Sequence, residues 1–226
     1  MTGTHIFALA LLGAVLGLDV VSFPQAMLSR PIVAATLTGA LMGDAAGGLL
    51  AGVSLELVAL ETLPVGASRY PEWGSASVVG GAIVSTNPNR AGALSVALLA
   101  AIAVGWIGGW TMVQLRTMNA RWAKRLRPAI ERGERRAVVG LQLAGLGADF
   151  IRGFLLTWVS LLAFRPLGRA VLGVWGADER LSRAVAVTVA ASVAAAAVWK
   201  LFRVTEHARW YLVGGLALGL AAMALQ

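Results

Sequence analysis

Polar and charged residues divide the chain into apolar stretches at about 6–23, 31–42, 46–60, 75–86, 91–115, 148–164, 184–199 and 210–225. The stretches are runs rich in Ala, Leu, Val and Gly, without the alternation of a half-buried strand or a membrane barrel, so they predict helices. Their lengths are uneven. A helix needs about 20 residues to cross a bilayer core, and 91–115 meets that requirement. The second and third stretches are shorter and are separated by "MGDAAGG", which predicts re-entrant or broken helices instead of two full crossings. Backbone ends at membrane depth survive only where protein or a polar cavity covers them.

Composition turns this pattern into a fold class. With 58% hydrophobic and 13% charged residues, the chain lies far from an ordinary soluble domain. It reads as an all-α, polytopic integral membrane protein, a single membrane-embedded domain over 1–226. The 226 residues could supply roughly six to nine segments of bilayer length. The first apolar stretch has no basic region before it, which fits a retained membrane segment better than a signal peptide. Cysteine is absent, which removes disulfides and thiolate chemistry. Only His5 and His207 are present, with no phosphate-loop pattern, so no phosphoryl carrier, cofactor or metal site is expected.

Charge placement sets an orientation. Nineteen Lys and Arg outnumber eleven Asp and Glu. Eight of the cations, Arg116, Arg121, Lys124, Arg125, Arg127, Arg132, Arg135 and Arg136, crowd into 116–136 against Glu131 and Glu134. Beside apolar segments, such a run reads as a basic cytoplasmic connection near anionic lipid, not as a nucleic-acid module. The chain then divides into a substrate-site half (1–90), this connection (116–136) and C-terminal helices (148–226). In "GWIGGW", the glycines of 105–110 suit close helix contact and the tryptophans suit a membrane interface.

Candidate chemistry centres on the acids of the first half. A charged side chain at membrane depth costs at least about 2.5 kcal/mol on insertion scales, so Glu56, inside an apolar run, is expected to meet a cavity, a partner charge or a polar ligand. The alternative is a structural role, pairing with an arginine such as Arg30 or capping a helix. Asp44 in "GDAAGG" reads as a turn residue that accepts backbone N–H bonds. Glu72 in "RYPEWG" either faces a polar cavity or sits in an interfacial loop with Tyr70 and Trp73. Asp149 and Arg152, three apart, would share a helix face as an ion pair. Arg165, Arg169, Arg180 and Arg183 read as loop or interface charges, together with Asp178 and Glu179.

Several of these residues also form an ordered series: Arg30-Pro31, Thr38-Gly39, Gly43-Asp44, Gly47-Gly48, Gly52, Leu55-Glu56, Leu60, Gly66-Ala67 and Pro71-Glu72. The series resembles the IIC membrane subunit of the mannose, fructose and sorbose family of the bacterial phosphoenolpyruvate-dependent phosphotransferase system. Later segments, "LQLAGLGADFIRGFLL" and "RWYLVGGLALGL", are similar more loosely. The resemblance implies a multi-pass sugar permease subunit of the bacterial cytoplasmic (inner) membrane. It implies assembly with a IID-type membrane subunit into an oligomer, and phosphorylation of the sugar by cytoplasmic IIA and IIB phosphocarriers.

It also implies a substrate site. Glu56 matches the family's intramembrane glutamate, expected to accept sugar hydroxyls. Gly66 and Ala67 would let backbone approach the ligand, and Glu72 holds an acid where Asp is usual. The chain departs from the pattern where Pro24 and Met27 replace an Asp and a Gln before Arg-Pro, and where Pro64 replaces an Asn ahead of Gly-Ala. Gln25, Ser22 and Asp19 could compensate from a neighbouring turn, or the ligand carries fewer hydroxyls. Two other classes stay open: a diverged, non-transporting scaffold or regulatory partner, and an intramembrane enzyme using Glu56 and Glu72 as an acid–base pair.

Overall fold

The computed structural model describes residues 2–62, 69–203 and 207–224, and every regular element in them is helical. In chain order these are α1 (Gly3–Asp19), α2 (Pro31–Leu41), α3 (Ala45–Ala59), α4 (Trp73–Ser85), α5 (Ala93–Glu131), α6 (Arg135–Gly173), α7 (Glu179–Phe202) and α8 (Ala208–Ala224). Each expected apolar stretch lies on one helix. Of these, α5, α6 and α7 are long and apolar enough to cross a membrane.

The shortest helices, α2, α3 and α4, belong to the first half, as the run lengths predict for the second and third stretches. At 11, 15 and 13 residues, α2, α3 and α4 reach only about 16–22 Å, less than the roughly 30 Å of a hydrocarbon core. Pro31 at the first position of α2 starts that helix, its fixed φ being suited to the place. Gly43, at φ 82°, supplies the left-handed residue that ends it. Asp44 then caps α3 by accepting the N–H of Gly47 at 2.9 Å, the turn role expected of it.

The α2–α3 hairpin closes tightly because glycines face each other across it. A Cβ on Gly48 would stand 2.8 Å from the Cα of Gly39, and one on Gly52 would stand 2.9 Å from the Cα of Ile32. Such contact lets backbones approach where lipid offers no hydrophobic drive for helix association. Against this hairpin lies α4, whose residues from Gly74 to Ser85 are all buried. Its Gly, Ser and Ala content lets α1, α2, α3 and α5 pack around it, as a helix apolar on all sides requires.

The glycines of "GWIGGW" have the role expected of them. The Tyr70–Glu72 segment presses on these glycines of α5, with the Pro71 side chain on Gly105, the Glu72 side chain on Gly108 and the Tyr70 carbonyl on Gly109, and the Glu72 N–H donates to the Gly105 carbonyl at 2.9 Å. Trp106 and Trp110 face outward.

Most of the basic run at 116–136 is carried on helix. α5 continues unbroken through Arg116 to Glu131, and only Arg132–Glu134 join it to α6. The reason is local: Arg, Lys, Ala and Leu are strong helix formers with or without lipid, and Pro128 falls too near the end to stop the helix early. α6 returns antiparallel and packs on α1, with Phe7, Phe154 and Trp158 in edge-to-face contact. α7 packs on α3, its Asp178 cap accepting from Leu181 N–H. α8 lies outermost, with Trp210, Tyr211 and Leu218 exposed.

Candidate functional site

The turn between α1 and α2 is shaped by Asp19. Its carboxylate is buried and accepts from the N–H of Ala26 at 2.7 Å and from the N–H and hydroxyl of Ser29 at 2.9 and 3.0 Å. These bonds bring Arg30 to the start of α2. From there its guanidinium crosses to the Glu56 carboxylate of α3, which also accepts the Ile32 N–H at 3.2 Å. Glu56 therefore has both structural partners considered for it, an arginine and a helix N-terminus whose dipole favours the negative charge.

A hollow opens beside this pair. Its cavity volume is about 60 Å³, and it is lined by Ser29 and Arg30, by Thr62, and by Tyr70 and Trp73, with Val20 and Ala59 among its apolar walls. The side chain of Arg30 is 40% exposed against 18% for Glu56. The guanidinium thus stands between the carboxylate and the open space. Two buried polar atoms near the hollow, Thr62 Oγ1 and Trp73 Nε1, have no hydrogen-bond partner among the described residues. A buried hydroxyl or N–H without a partner costs about 1–3 kcal/mol, so both are unspent bonding capacity at the wall of a cavity. An apolar wall, an indole and a few convergent polar groups are the lining of a small-molecule site, here around a space the size of a few waters.

Glu72 sits elsewhere. It is 2% exposed and caps α4 by accepting the Ser75 N–H at 3.1 Å, while its Oε2 has no partner among the described residues. Pro71 and Trp73 line the hollow on either side of it, but its carboxylate is turned toward Gly17 of α1 and Gly108 of α5. Arg152 Nη2, also unpartnered, approaches the same glycine of α1. Arg152 donates to Asp149 at 2.9 Å, the ion pair expected from their spacing, and Ser22 donates to the other Asp149 oxygen at 2.5 Å. This buried network ties the α1–α2 turn to α6.

Among the described residues, the structure brings Arg30 to the wall of the hollow, with Glu56 bound to its guanidinium but not part of the lining, and leaves Glu72 behind the wall. Gln25 is exposed and donates to the Val21 carbonyl at 2.9 Å, away from Glu56. Ser22 and Asp19, the other polar groups of the turn, are engaged with Asp149 and Ser29. Gly66 and Ala67 lie outside the described residues. Glu56 and Glu72 are held by different partners, and no hydrogen bond joins them as an acid–base pair. Nothing in the sequence singles out Thr62, and Trp73 reads there as an interfacial ring. Their positions beside the loop and the Pro-Glu cap are visible in the sequence, but their lack of partners is a tertiary fact.

The comparisons agree with this architecture. Residues 4–177 match the EII-Sor family, described as the PTS system sorbose-specific IIC component. The chain is 36% identical over 104 residues to the fructose permease IIC component of Bacillus subtilis (strain 168), covering 45% of this chain and 38% of that protein. It is 28% identical over 123 residues to the sorbose-specific EIIC component of Klebsiella pneumoniae and to the mannose-specific EIIC component of Escherichia coli (strain K12). Each of those matches covers 54% of this chain and 45% of the relative. The matched segments thus span less than half the length of these relatives.

Two solved structures share the fold over the whole chain and 94% of their own. One, titled only as a membrane protein, has a TM-score of 0.76 at 18% identity. The other, a mannose transporter ManYZ in complex with microcin E492, has a TM-score of 0.63 at 19% identity. With a family match that takes in both α2–α3 and the α5–α6 hairpin, this polytopic helical membrane protein belongs to the sorbose-specific IIC component family of the PTS system.

Proposed function

We propose that the chain is the permease subunit of a mannose-family sugar phosphotransferase system. It binds and translocates a sugar in the hollow beside Arg30 and Glu56. The observation that carries this reading is the pair of groups without a partner among the described residues, Thr62 Oγ1 and Trp73 Nε1, at a hollow lined by Arg30, the ion-pair partner of Glu56. A sugar supplies hydroxyls for all of them, and its C–H faces suit the apolar wall. Glu56 is the principal acceptor, reached when Arg30 turns aside or shares its donors with the ligand. Gly66, Ala67 and Glu72 complete the substrate set implied by the family pattern, and Gln25 compensates from the neighbouring turn for the polar groups that the chain lacks there. The names of the relatives point to fructose, sorbose or mannose as the sugars to test first.

In this reading the protein works as a multi-pass component of a bacterial inner membrane, beside a IID-type subunit in an oligomer. Cytoplasmic IIA and IIB proteins supply the phosphoryl group, since the chain carries no obvious phosphoryl carrier. The 116–136 hairpin tip faces the cytoplasm, as its positive charge requires. A cysteine placed at Ala129 is expected to resist an impermeant thiol reagent in intact cells and to react in inverted vesicles; labelling from outside reverses the orientation.

A second reading has its own support. Arg30 occupies Glu56, and the turn residues Asp19, Ser22 and Gln25 are used internally, which is what a non-transporting scaffold would show. Equilibrium binding of labelled fructose, sorbose and mannose to the purified IIC–IID pair separates the two, because the scaffold gives no saturable binding. Trp73→Phe sharpens the test: it keeps the ring and deletes the unpartnered N–H. Sugar affinity should fall about 3- to 10-fold, the net worth of one hydrogen bond, while the thermal stability of the sugar-free protein stays level or rises. A sugar-free protein clearly destabilised by the substitution would mean that the N–H has a structural partner.

A further inference from the structure

The helical hairpin formed by the end of α5 and the start of α6 carries more exposed chemistry than a connection needs. The apolar part of α5 ends near Leu115, and the helix runs 16 residues further to Glu131, a rise of about 24 Å. α6 returns beside it, with Gly145 close under the Asn119 side chain. Both acids of the tip are already paired, Glu131 with Arg127 and Glu134 with Arg132. Arg121, Lys124 and Arg125, spaced three and four apart on one face of α5, stay exposed without an ion-pair partner among the described residues, as do Arg135 and Arg136 on α6. On α6 the basic pair leads directly into an exposed apolar stripe at helical spacing, Val138, Val139 and Leu143.

Three occupants could cover such a surface, and geometry separates them. Anionic lipid acts over a Debye length of about 8 Å, beyond a headgroup layer of roughly 6 Å. By helical rise Arg121 and Lys124 stand about 9 and 13.5 Å past the apolar part of α5, inside that field, whereas Arg125 stands about 15 Å past it and the tip, beside Arg135 and Arg136, about 24 Å, so these last three charges lie at or outside it. A second copy of the hairpin would bring like charge against like charge. A plain polyanion has no use for exposed valine and leucine side chains. What fits is a protein face that is acidic with an apolar centre.

We propose that this hairpin is a docking surface for a soluble acidic protein on the cytoplasmic side. In the transport reading above, on which the choice of partner rests, that protein is the IIB-type phosphocarrier. Arg121, Lys124, Arg125, Arg135 and Arg136 steer it by charge, and Val138, Val139 and Leu143 supply the apolar contact.

The test uses the full-length protein with its IID-type partner in nanodiscs of zwitterionic phosphatidylcholine, titrated with the purified IIB-type protein. The wild type is expected to bind, with an affinity that falls as salt rises. Combined Arg121→Glu, Lys124→Glu and Arg125→Glu should weaken binding at least tenfold. Val139→Asn with Leu143→Asn should do the same with the salt dependence retained. Wild-type nanodiscs that fail to bind the phosphocarrier, or either variant binding it as tightly as wild type, overturn the proposal. So does a bimane label at Arg125→Cys that becomes buried in phosphatidylglycerol vesicles with no other protein present, because lipid is then the occupant. Saturable sugar binding, measured on the same nanodiscs, reports on the permease reading independently: its loss with phosphocarrier binding intact sinks transport and leaves the docking surface standing.

Discussion

Replacing Glu56 by Gln is expected to cut sugar uptake at least tenfold while the protein still assembles in the membrane. The amide keeps the shape of the side chain and can still accept the Ile32 N–H, so the start of α2 survives. What disappears is the negative charge that holds Arg30 and, in the transport reading, accepts sugar hydroxyls. A hydrogen bond to a charged group is worth about 1.5–3 kcal/mol, which converts to roughly a ten- to hundredfold loss in affinity. Arg30→Gln separates ligand binding from scaffolding. If the arginine merely neutralises a buried acid, its removal leaves Glu56 costly but available, and uptake persists at reduced protein stability. If the sugar needs both groups, both variants lose uptake. Uptake by Glu56→Gln with unaltered KM and maximal rate would take Glu56 out of the site and favour the scaffold.

The largest effect on stability is expected at Asp149, which has no direct part in the hollow. Its side chain is 1% exposed and that of Arg152 is 8% exposed. Asp149→Ala strands the guanidinium and removes the acceptor of Ser22 at once. Breaking one side of a buried pair costs about 3–5 kcal/mol, since the remaining charge keeps its desolvation cost without its partner. Denaturant unfolding of the detergent-solubilised protein measures this. A double replacement, Asp149→Ala with Arg152→Leu, should recover part of the loss because no charge is left behind. A loss below about 1 kcal/mol for Asp149→Ala would mean that water reaches this network.

Glu72 and Glu56 illustrate how differently two acids of similar sequence setting can end. Both follow apolar or proline-rich segments and both belong to the same ordered motif series. Glu56 projects from the body of α3 and finds an arginine 26 positions earlier in the chain. Glu72 is the residue before α4, so its carboxylate is spent partly on the Ser75 N–H. Spacing alone could not assign these roles, because several arginines were available to Glu56 and a cap looks like any polar residue before a helix. The Asp149–Arg152 pair was legible for the opposite reason: both partners lie on one helix, where a three-residue spacing fixes the contact.

The sequence by itself determined which apolar stretches become helices and that the second and third are too short to cross, but not how far α5 and α6 extend beyond their apolar parts. In a membrane, runs of apolar residues must pair their own backbone, and helix length follows from counting residues. It also determined the turn at Asp44 and the family pattern, both of which reside in local order. Only the tertiary structure decided what surrounds each acid. The glycine contacts of the α2–α3 hairpin set Arg30 against Glu56, and the packing of Tyr70–Glu72 on α5 turned Glu72 away from the hollow. Partner choice depends on which helix faces meet, and no local spacing records that.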